Sequence, residues 1–485
     1  MSDSVARNAV WNVGGTAASM VAGLVALPVL LHALGAARLG VFTLALGLIG
    51  FSGLFDLGLG RSLTQTVSSA LGRGRSRGAV AALVWKVMRL LAAFGIFWLT
   101  GLWFLVPWVV IHLFHLQNSL ASEAIFGLRA VALSIPFALV AAGAVGSLEG
   151  FQEFRGISVR RAVLGVVQFG LPTLVALGRP DVGWVIAALA MTRAVGMIVW
   201  LKLLRSVVPV DRGFCSDPAD FRHLLRFGGW LSVSNIVGPL MGYGDRFYLA
   251  SLFPSAALAT YTVPYDVLVR VTTLPITAIA AVFPALAEAQ ARHDDSSHLL
   301  RATMAALFSL MMPPLLIAMV FARPLLSLWM GSHFALLTTP IFQVLILGVF
   351  INSTAHVPYA LLQAHGRSDL TAKLHLAELP VFASLLLWSV SLWGVLGAAV
   401  AWTLRAALDS LLLYGSAMLL QPAQRWVLAK GVLWAIVASM ALCVSLVSQR
   451  VLLVLPVTVL TLIVSGVTLK RLYLRWHRHT FTTSG

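Results

Sequence analysis

Charge is scarce in this chain of 485 residues. Only 11% of its residues are charged, against about 25% in ordinary soluble domains, while 59% are hydrophobic and the mean hydropathy is +0.91. That composition excludes a soluble globular protein. Cysteine is nearly absent: Cys215 and Cys443 are the whole complement, too few for a disulfide framework or a cysteine metal cluster. There is no GxxxxGK[ST] loop to cradle nucleotide phosphates, so direct drive by ATP is not expected. The twelve histidines are scattered. The closest pairs, His112 with His115 and His477 with His479, read as interfacial and tail residues, not as zinc ligands. No enzyme, cofactor or resident metal is expected. A membrane glycosyltransferase or polymerase would need a catalytic carboxylate and large outer loops, and the longest outer loop here spans about 109–123.

What the chain does have is apolar runs long enough to cross a bilayer, each near the roughly 20 residues that a spanning helix needs. They fall near 9–33, 40–61, 79–108, 124–148, 160–178, 182–205, 222–250, 259–287, 299–321, 337–362, 370–392, 393–419, 427–447 and 450–470. Arg7 leads into a full-length first span, so the start reads as mature and cytoplasmic, not as a cleaved signal. The expected class is an all-α integral membrane protein of about fourteen helices.

The cations support that alternation. With the N-terminus inside, twenty-two Lys and Arg fall in inner loops and tails, among them Arg7, Arg73, Arg75, Arg77, Arg155, Arg160, Arg161 and the tail cluster Lys470, Arg471, Arg475 and Arg478. The outer loops hold four: Arg38, Arg179, Arg323 and Arg450. Cytoplasmic loops accumulate Lys and Arg, which places both termini in the cytoplasm and suggests a bacterial inner membrane. The net charge of +17 is thus spread over short loops beside spans. It suits anionic lipid headgroups and gives no single face for nucleic acid.

The main polar break, about 206–221, divides the spans into residues 1–205 and 222–420, six helices each. Residues 421–485 add two further helices and the basic tail. A shift of 219 residues overlays Trp11 on Trp230, Leu39 on Leu258 and Phe42 on Tyr261. A same-sense repeat six helices apart is the parallel type, with its axis along the membrane normal.

Eight cations lie inside apolar spans: Arg61, Lys86, Arg89, Arg129, Arg193, Arg246, Arg270 and Arg405. Such charges are costly and mark functional positions or buried pairs. Lys86, Arg89 and Arg129 lie near span ends and can snorkel. Arg405 and Asp409 stand four apart and can pair within one helix. Arg270 follows Asp266 by four residues, between Pro264 and Pro275, which are the expected hinges of the eighth span. Arg246 follows Asp245. Asp56 and Arg61 bracket a glycine-rich turn of the second span, and Arg193 has no nearby acid in sequence. Arginine forks match phosphate oxygens. Arg270, Arg246, Arg193 and Arg61 are therefore the expected anion ligands. Asp56, Asp245, Asp266 and Asp409 are charge partners or carriers of a coupling H+ or Na+.

The stretches RNAVWNVGGT, ALPVLLHALGAARLGVFTLALGL and FSGLFDLGLGRSLTQTVS resemble the opening of bacterial O-antigen and polysaccharide flippases. Those belong to the multidrug/oligosaccharidyl-lipid/polysaccharide exporter superfamily. YALLQAHGRSDLTAK at 359–373 is similar to an inner turn of that family, with SLEGFQEFRG at 147–156 as its counterpart. Asp56, Gly58 and Arg61 match one family motif, and Gln363, Gly366 and Arg367 match the other. The resemblance implies two pseudo-symmetric six-helix lobes around a central cavity open alternately to each side. The implied substrate is an undecaprenyl-diphosphate-linked oligosaccharide, flipped by a monomer that works beside a polysaccharide polymerase and other assembly proteins. Twelve helices are usual in that branch and fourteen occur in lipid II flippases, which form the first alternative. A cation-coupled small-molecule exporter is the second.

Overall fold

The computed structural model describes residues 2–50, 59–72, 76–151, 153–208, 241–276, 295–365 and 367–447, with 279, 282 and 286 as isolated helical positions. Most of the predicted linker, the fourteenth span and the basic tail lie outside the described residues. So do Asp56, Gly58, Gly366 and the side chain of Arg61.

Among the described residues every regular element is helical. The helices are α1 (Ser2–Gly50), α2 (Leu59–Gly72), α3 (Arg77–Trp108), α4 (Asn118–Gly150), α5 (Phe154–Gly178), α6 (Val182–Val207), α7 (241–252) and α8 (Ser255–Val271). They continue with α9 (Ser297–Val320), α10 (Ala322–Met330), α11 (Ser332–Ala364), α12 (Ser368–Trp393), α13 (Val395–Leu420) and α14 (Arg425–Val447). Among the described residues, ten helical segments are long and apolar enough to cross a membrane. The chain is a multi-pass all-α membrane protein.

Hydrocarbon offers no hydrogen bonds, so each backbone group must be satisfied inside its own segment, which selects helices. Hydroxyls follow the same rule. Thr100, Ser147 and Ser353 donate to the carbonyls of Ile96, Gly143 and Val349, each one turn back, at 2.7–2.9 Å. Large apolar side chains such as Phe104, Leu174, Leu177 and Trp434 are exposed, as a lipid-facing surface requires.

The chain divides into two compact units, Met1–Thr262 and Val263–Gly485. In the first, α4 packs on α6, α3 and α2, and α1 on α5. Leu63, Val67, Leu91, Ile135, Leu139 and Leu204 belong to its buried core. In the second, α13 is sandwiched by α11 and α12, while α9 packs on α11 and α14. Sequence repeat and compact packing divide the chain differently. α7 and α8 up to Thr262 belong to the second repeat but pack inside the first unit.

Several details depart from the sequence expectation. The first two spans are joined by no loop: α1 is continuous apart from an elbow at Gly35, whose φ of 76° and ψ of 166° are reached readily only without a Cβ. A five-residue π-turn, Val109–Leu113, extends α3 into the predicted outer loop. The outer loop between the ninth and tenth predicted spans folds in part as α10. The turn between α12 and α13 is the single residue Gly394. α8 ends at Val271, with a turn at Thr272 before helix resumes at 273–276. Pro275 explains the break, because it has no N–H for the Val271 carbonyl.

At the end where the loops are poor in cations, one carboxylate holds three elements. Glu123 at the start of α4 accepts two bonds from the Arg38 guanidinium beside the elbow, both 2.7 Å. Its Oε2 also accepts the Val182 N–H at the start of α6, at 3.1 Å. Asp181 caps α6 by accepting the Gly183 N–H at 2.8 Å. This clasp fixes the elbow and therefore the direction of the second arm of α1.

Candidate functional site

Three clusters of polar side chains inside apolar helices could carry function. The first is the meeting of the two repeats. Thr262 on α8 donates its hydroxyl to the Thr43 hydroxyl on α1 at 2.8 Å, and both residues are completely buried. They are 219 positions apart, which is the spacing of the sequence repeat. Thr43 lies in the first group of spans that the sequence overlay aligns and Thr262 in the second. Gly40 makes the approach possible. A Cβ there would sit 1.8 Å from the Ser255 carbonyl oxygen.

Beside this seam lie Asp245 and Arg246 on α7. Asp245 Oδ1 accepts the Arg246 backbone N–H at 2.8 Å, and its Oδ2 accepts the Tyr261 hydroxyl in a short bond. The Arg246 guanidinium lies 4.8 Å from the Tyr243 ring centre and passes close to Gly47. Asp245, Arg246 and Tyr261 are all fully buried. Arg246, expected as an anion ligand, is thus packed into the seam.

The second cluster is in the first unit, between α4, α5 and α6. A cavity of about 220 Å³ is lined by Gln168, Thr192, Arg193 and Trp200 with apolar neighbours. Arg193 also donates to the Ile49 carbonyl of α1 at 3.2 Å. An adjoining cavity of about 300 Å³ shares Ala141 and Trp200 and extends past Thr64 to Glu149. Glu149 pairs with the exposed Arg161 at 3.2 Å.

The third cluster is in the second unit. Asn352, His356 and Tyr359 of α11, His375 of α12 and Arg405 and Asp409 of α13 line a cavity of about 240 Å³. The expected pairing of Arg405 with Asp409 is corrected here. Arg405 Nη1 lies 3.7 Å from Glu378 Oε2 on α12, and Asp409 Oδ1 lies 3.5 Å from His375 Nε2. Both contacts cross between helices. The long Arg405 side chain reaches a carboxylate buried on the facing helix, and Asp409 meets the imidazole that overhangs the cavity. Sequence reading missed His356, His375, Asn352 and Tyr359 as a group. Their signal was present as polar residues at positions 352, 356 and 359 of one span, and at 375 and 378 of the next.

Asp266 and Arg270 lie on α8 of the second unit, both half-buried, with Arg270 Nε donating to the Asp266 carbonyl at 3.2 Å. Pro264 and Pro275 are buried. The structure therefore assembles Asp245 with Arg246 and places Arg193 in one cavity and Asp409 in another.

These features have known counterparts. A family model described as polysaccharide biosynthesis protein matches residues 5–290, more than half of the chain, and the chain belongs to that family. A candidate O-antigen transporter of Shigella flexneri is 28% identical over 411 residues, covering 84% of this chain and 97% of that protein. Among solved structures, the lipid II flippase MurJ in an inward closed conformation aligns with a TM-score of 0.70 at 12% identity, covering 97% of this chain and 99% of that one. An inward-facing multidrug resistance transporter of the MATE family aligns with a TM-score of 0.65 at 14% identity, covering 87% and 95%. The fold is that of the multidrug/oligosaccharidyl-lipid/polysaccharide superfamily.

Proposed function

From membership of the polysaccharide biosynthesis family, we propose that the chain flips an undecaprenyl-diphosphate-linked oligosaccharide across the bacterial inner membrane. The observation that carries this reading is the Arg193 cavity: a guanidinium, an amide and a hydroxyl inside a membrane-embedded helix bundle. In low dielectric a guanidinium in such a cavity favours an anion. A diphosphate presents oxygens that a planar guanidinium can bridge. The glycan crosses within the protein while the polyprenyl tail stays in lipid. Arg270, Arg246 and Arg61 are further candidates for anion contact by charge. Pro264 and Pro275, flanking the break at Thr272, are candidate hinges of α8.

Alternating access needs a contact that opens and closes. The Thr43–Thr262 seam supports that role because residues of the two repeats meet there by a single hydrogen bond and one close backbone approach. Substrate shifts the switch only to the extent that it binds the two states differently.

The test is flipping in reconstituted liposomes. A fluorescent undecaprenyl-diphosphate sugar is compared with fluorescent lipid II and with a cationic dye. Wild type should flip the first, and Arg193→Ala should lose at least about tenfold in rate, the worth of one charge-assisted hydrogen bond. Preference for lipid II would move the chain to that branch. Transport of the dye alone would overturn the reading.

A further inference from the structure

Each repeat carries a cavity at the same place in its order of spans. In the first it lies between α4, α5 and α6, the fourth, fifth and sixth predicted spans, and holds Arg193. In the second it lies between α11, α12 and α13, the tenth, eleventh and twelfth. The two linings differ. In the second cavity the Tyr359 and His375 rings lie nearly parallel, at 13° with centres 6.2 Å apart, and both are more than a third exposed. Asn352 and His356 share the helix face that carries Tyr359, and Arg405 and Asp409 come from α13. Charges of both signs sit side by side. Arg405 Nη1 is 3.7 Å from Glu378 Oε2, and Asp409 Oδ1 is 3.5 Å from His375 Nε2. Such a lining suits a polar ligand without strong charge of either sign.

We propose that this cavity binds a single neutral pyranose ring, with Tyr359 as its platform and Asn352, Arg405 and Asp409 as its hydroxyl partners. The ring is a sugar of the lipid-linked glycan; that source rests on the flippase reading, whereas the sugar site does not. An acyl chain in the cavity would leave its polar groups unmatched. A ring bearing hydroxyls matches them. A hydroxyl both donates and accepts, an ionised Asp409 only accepts, Arg405 only donates, and the Asn352 amide does both. The C–H bonds on one face of a pyranose carry weakly positive hydrogens, which suit the negative face of an aromatic ring. The volume of about 240 Å³ lies below the range of about 300–1,000 Å³ usual for drug-sized ligands, which leaves room for one ring. A site built around hydroxyls rejects ligands that lack them more strongly than an apolar pocket can. It therefore favours a glycan-bearing lipid over the bare diphosphate lipid, a distinction that Arg193 alone cannot make.

The test compares flipping of undecaprenyl diphosphate in liposomes with flipping of the same lipid carrying one glucose, galactose or N-acetylglucosamine. Wild type should flip at least one of the three faster than the bare lipid. Tyr359→Ala should lower that preference about fivefold, and Tyr359→Phe, which keeps the ring, should retain it. Asn352→Leu, which keeps the branching of the side chain without a polar group, should lower it about tenfold. Saturation-transfer NMR of the purified full chain with the three free monosaccharides separates the two sources. Preference in flipping without free-sugar contact assigns the site to the lipid-linked ring. Absence of any preference in wild type, or a preference unchanged in both Tyr359→Ala and Asn352→Leu, would overturn the sugar site and leave the flippase reading standing. Free-sugar contact that Tyr359→Ala abolishes, with no flipping of any diphosphate lipid, would keep the site, assign it to free sugar and discard the flippase reading. Neither contact nor flipping in wild type would overturn both.

Discussion

Two buried arginines sit in opposite circumstances. Arg246 is entirely enclosed, stacked on Tyr243 beside an Asp245 whose two oxygens already accept the Arg246 N–H and the Tyr261 hydroxyl. Arg405 borders a cavity, stands at ion-pair distance from Glu378, and has the buried Asp409 beside it. The first arrangement is closed off from any cavity among the described residues, with an acid that accepts from two donors, as a packed joint requires. The second borders open space, with two acids and one guanidinium close together. Intramembrane charge by itself does not separate the two arrangements. Access to a cavity does.

The sharpest way to break this contrast is Asp245→Ala. It leaves the fully buried Tyr261 hydroxyl without its acceptor, so unfolding in SDS titration should become easier by up to about 3 kcal/mol, the cost of a buried donor left unmatched. Loss of under about 1 kcal/mol would mean that the cluster is not a joint. Next comes Gly40→Ala, whose methyl has no room against the Ser255 carbonyl. It should cost about 1–3 kcal/mol by overpacking, or hold the seam open and raise the thiol accessibility of Thr262→Cys. Thr262→Val removes one buried hydroxyl bond and should cost about 1 kcal/mol in the same titration. The smallest stability effect is expected for Glu378→Gln. It relieves the repulsion between the neighbouring Glu378 and Asp409 carboxylates while giving up the 3.7 Å contact with Arg405, and should change stability by less than about 1 kcal/mol in either direction. A large loss there would place Glu378 with Asp245 as a structural partner and erase the contrast.

Much of the fold was legible. Apolar runs marked the described spans, and the 219-residue offset of the overlay is the spacing of the hydrogen-bonded Thr43 and Thr262. The elbow at Gly35 was not legible, because a helix that resumes after one residue looks like a loop in composition. Pairing was the harder problem. Helical spacing says that Arg405 and Asp409 share a face, but only packing shows that α12 faces them with Glu378 and His375. Sequence names Arg246 as an intramembrane cation, but only packing shows that it is fully buried against Tyr243.

The most direct measurement locks the seam. With Cys215 and Cys443 replaced by serine, Thr43→Cys/Thr262→Cys is reconstituted and flipping of the fluorescent undecaprenyl-diphosphate sugar is followed before oxidation, after it, and after reduction. The two hydroxyls are 2.8 Å apart, close enough for a disulfide to form with little backbone movement. The account predicts that oxidation stops flipping and that reduction restores it. Undiminished flipping in fully cross-linked protein would contradict it, because the repeats would then not need to part at this seam for the lipid-linked glycan to cross.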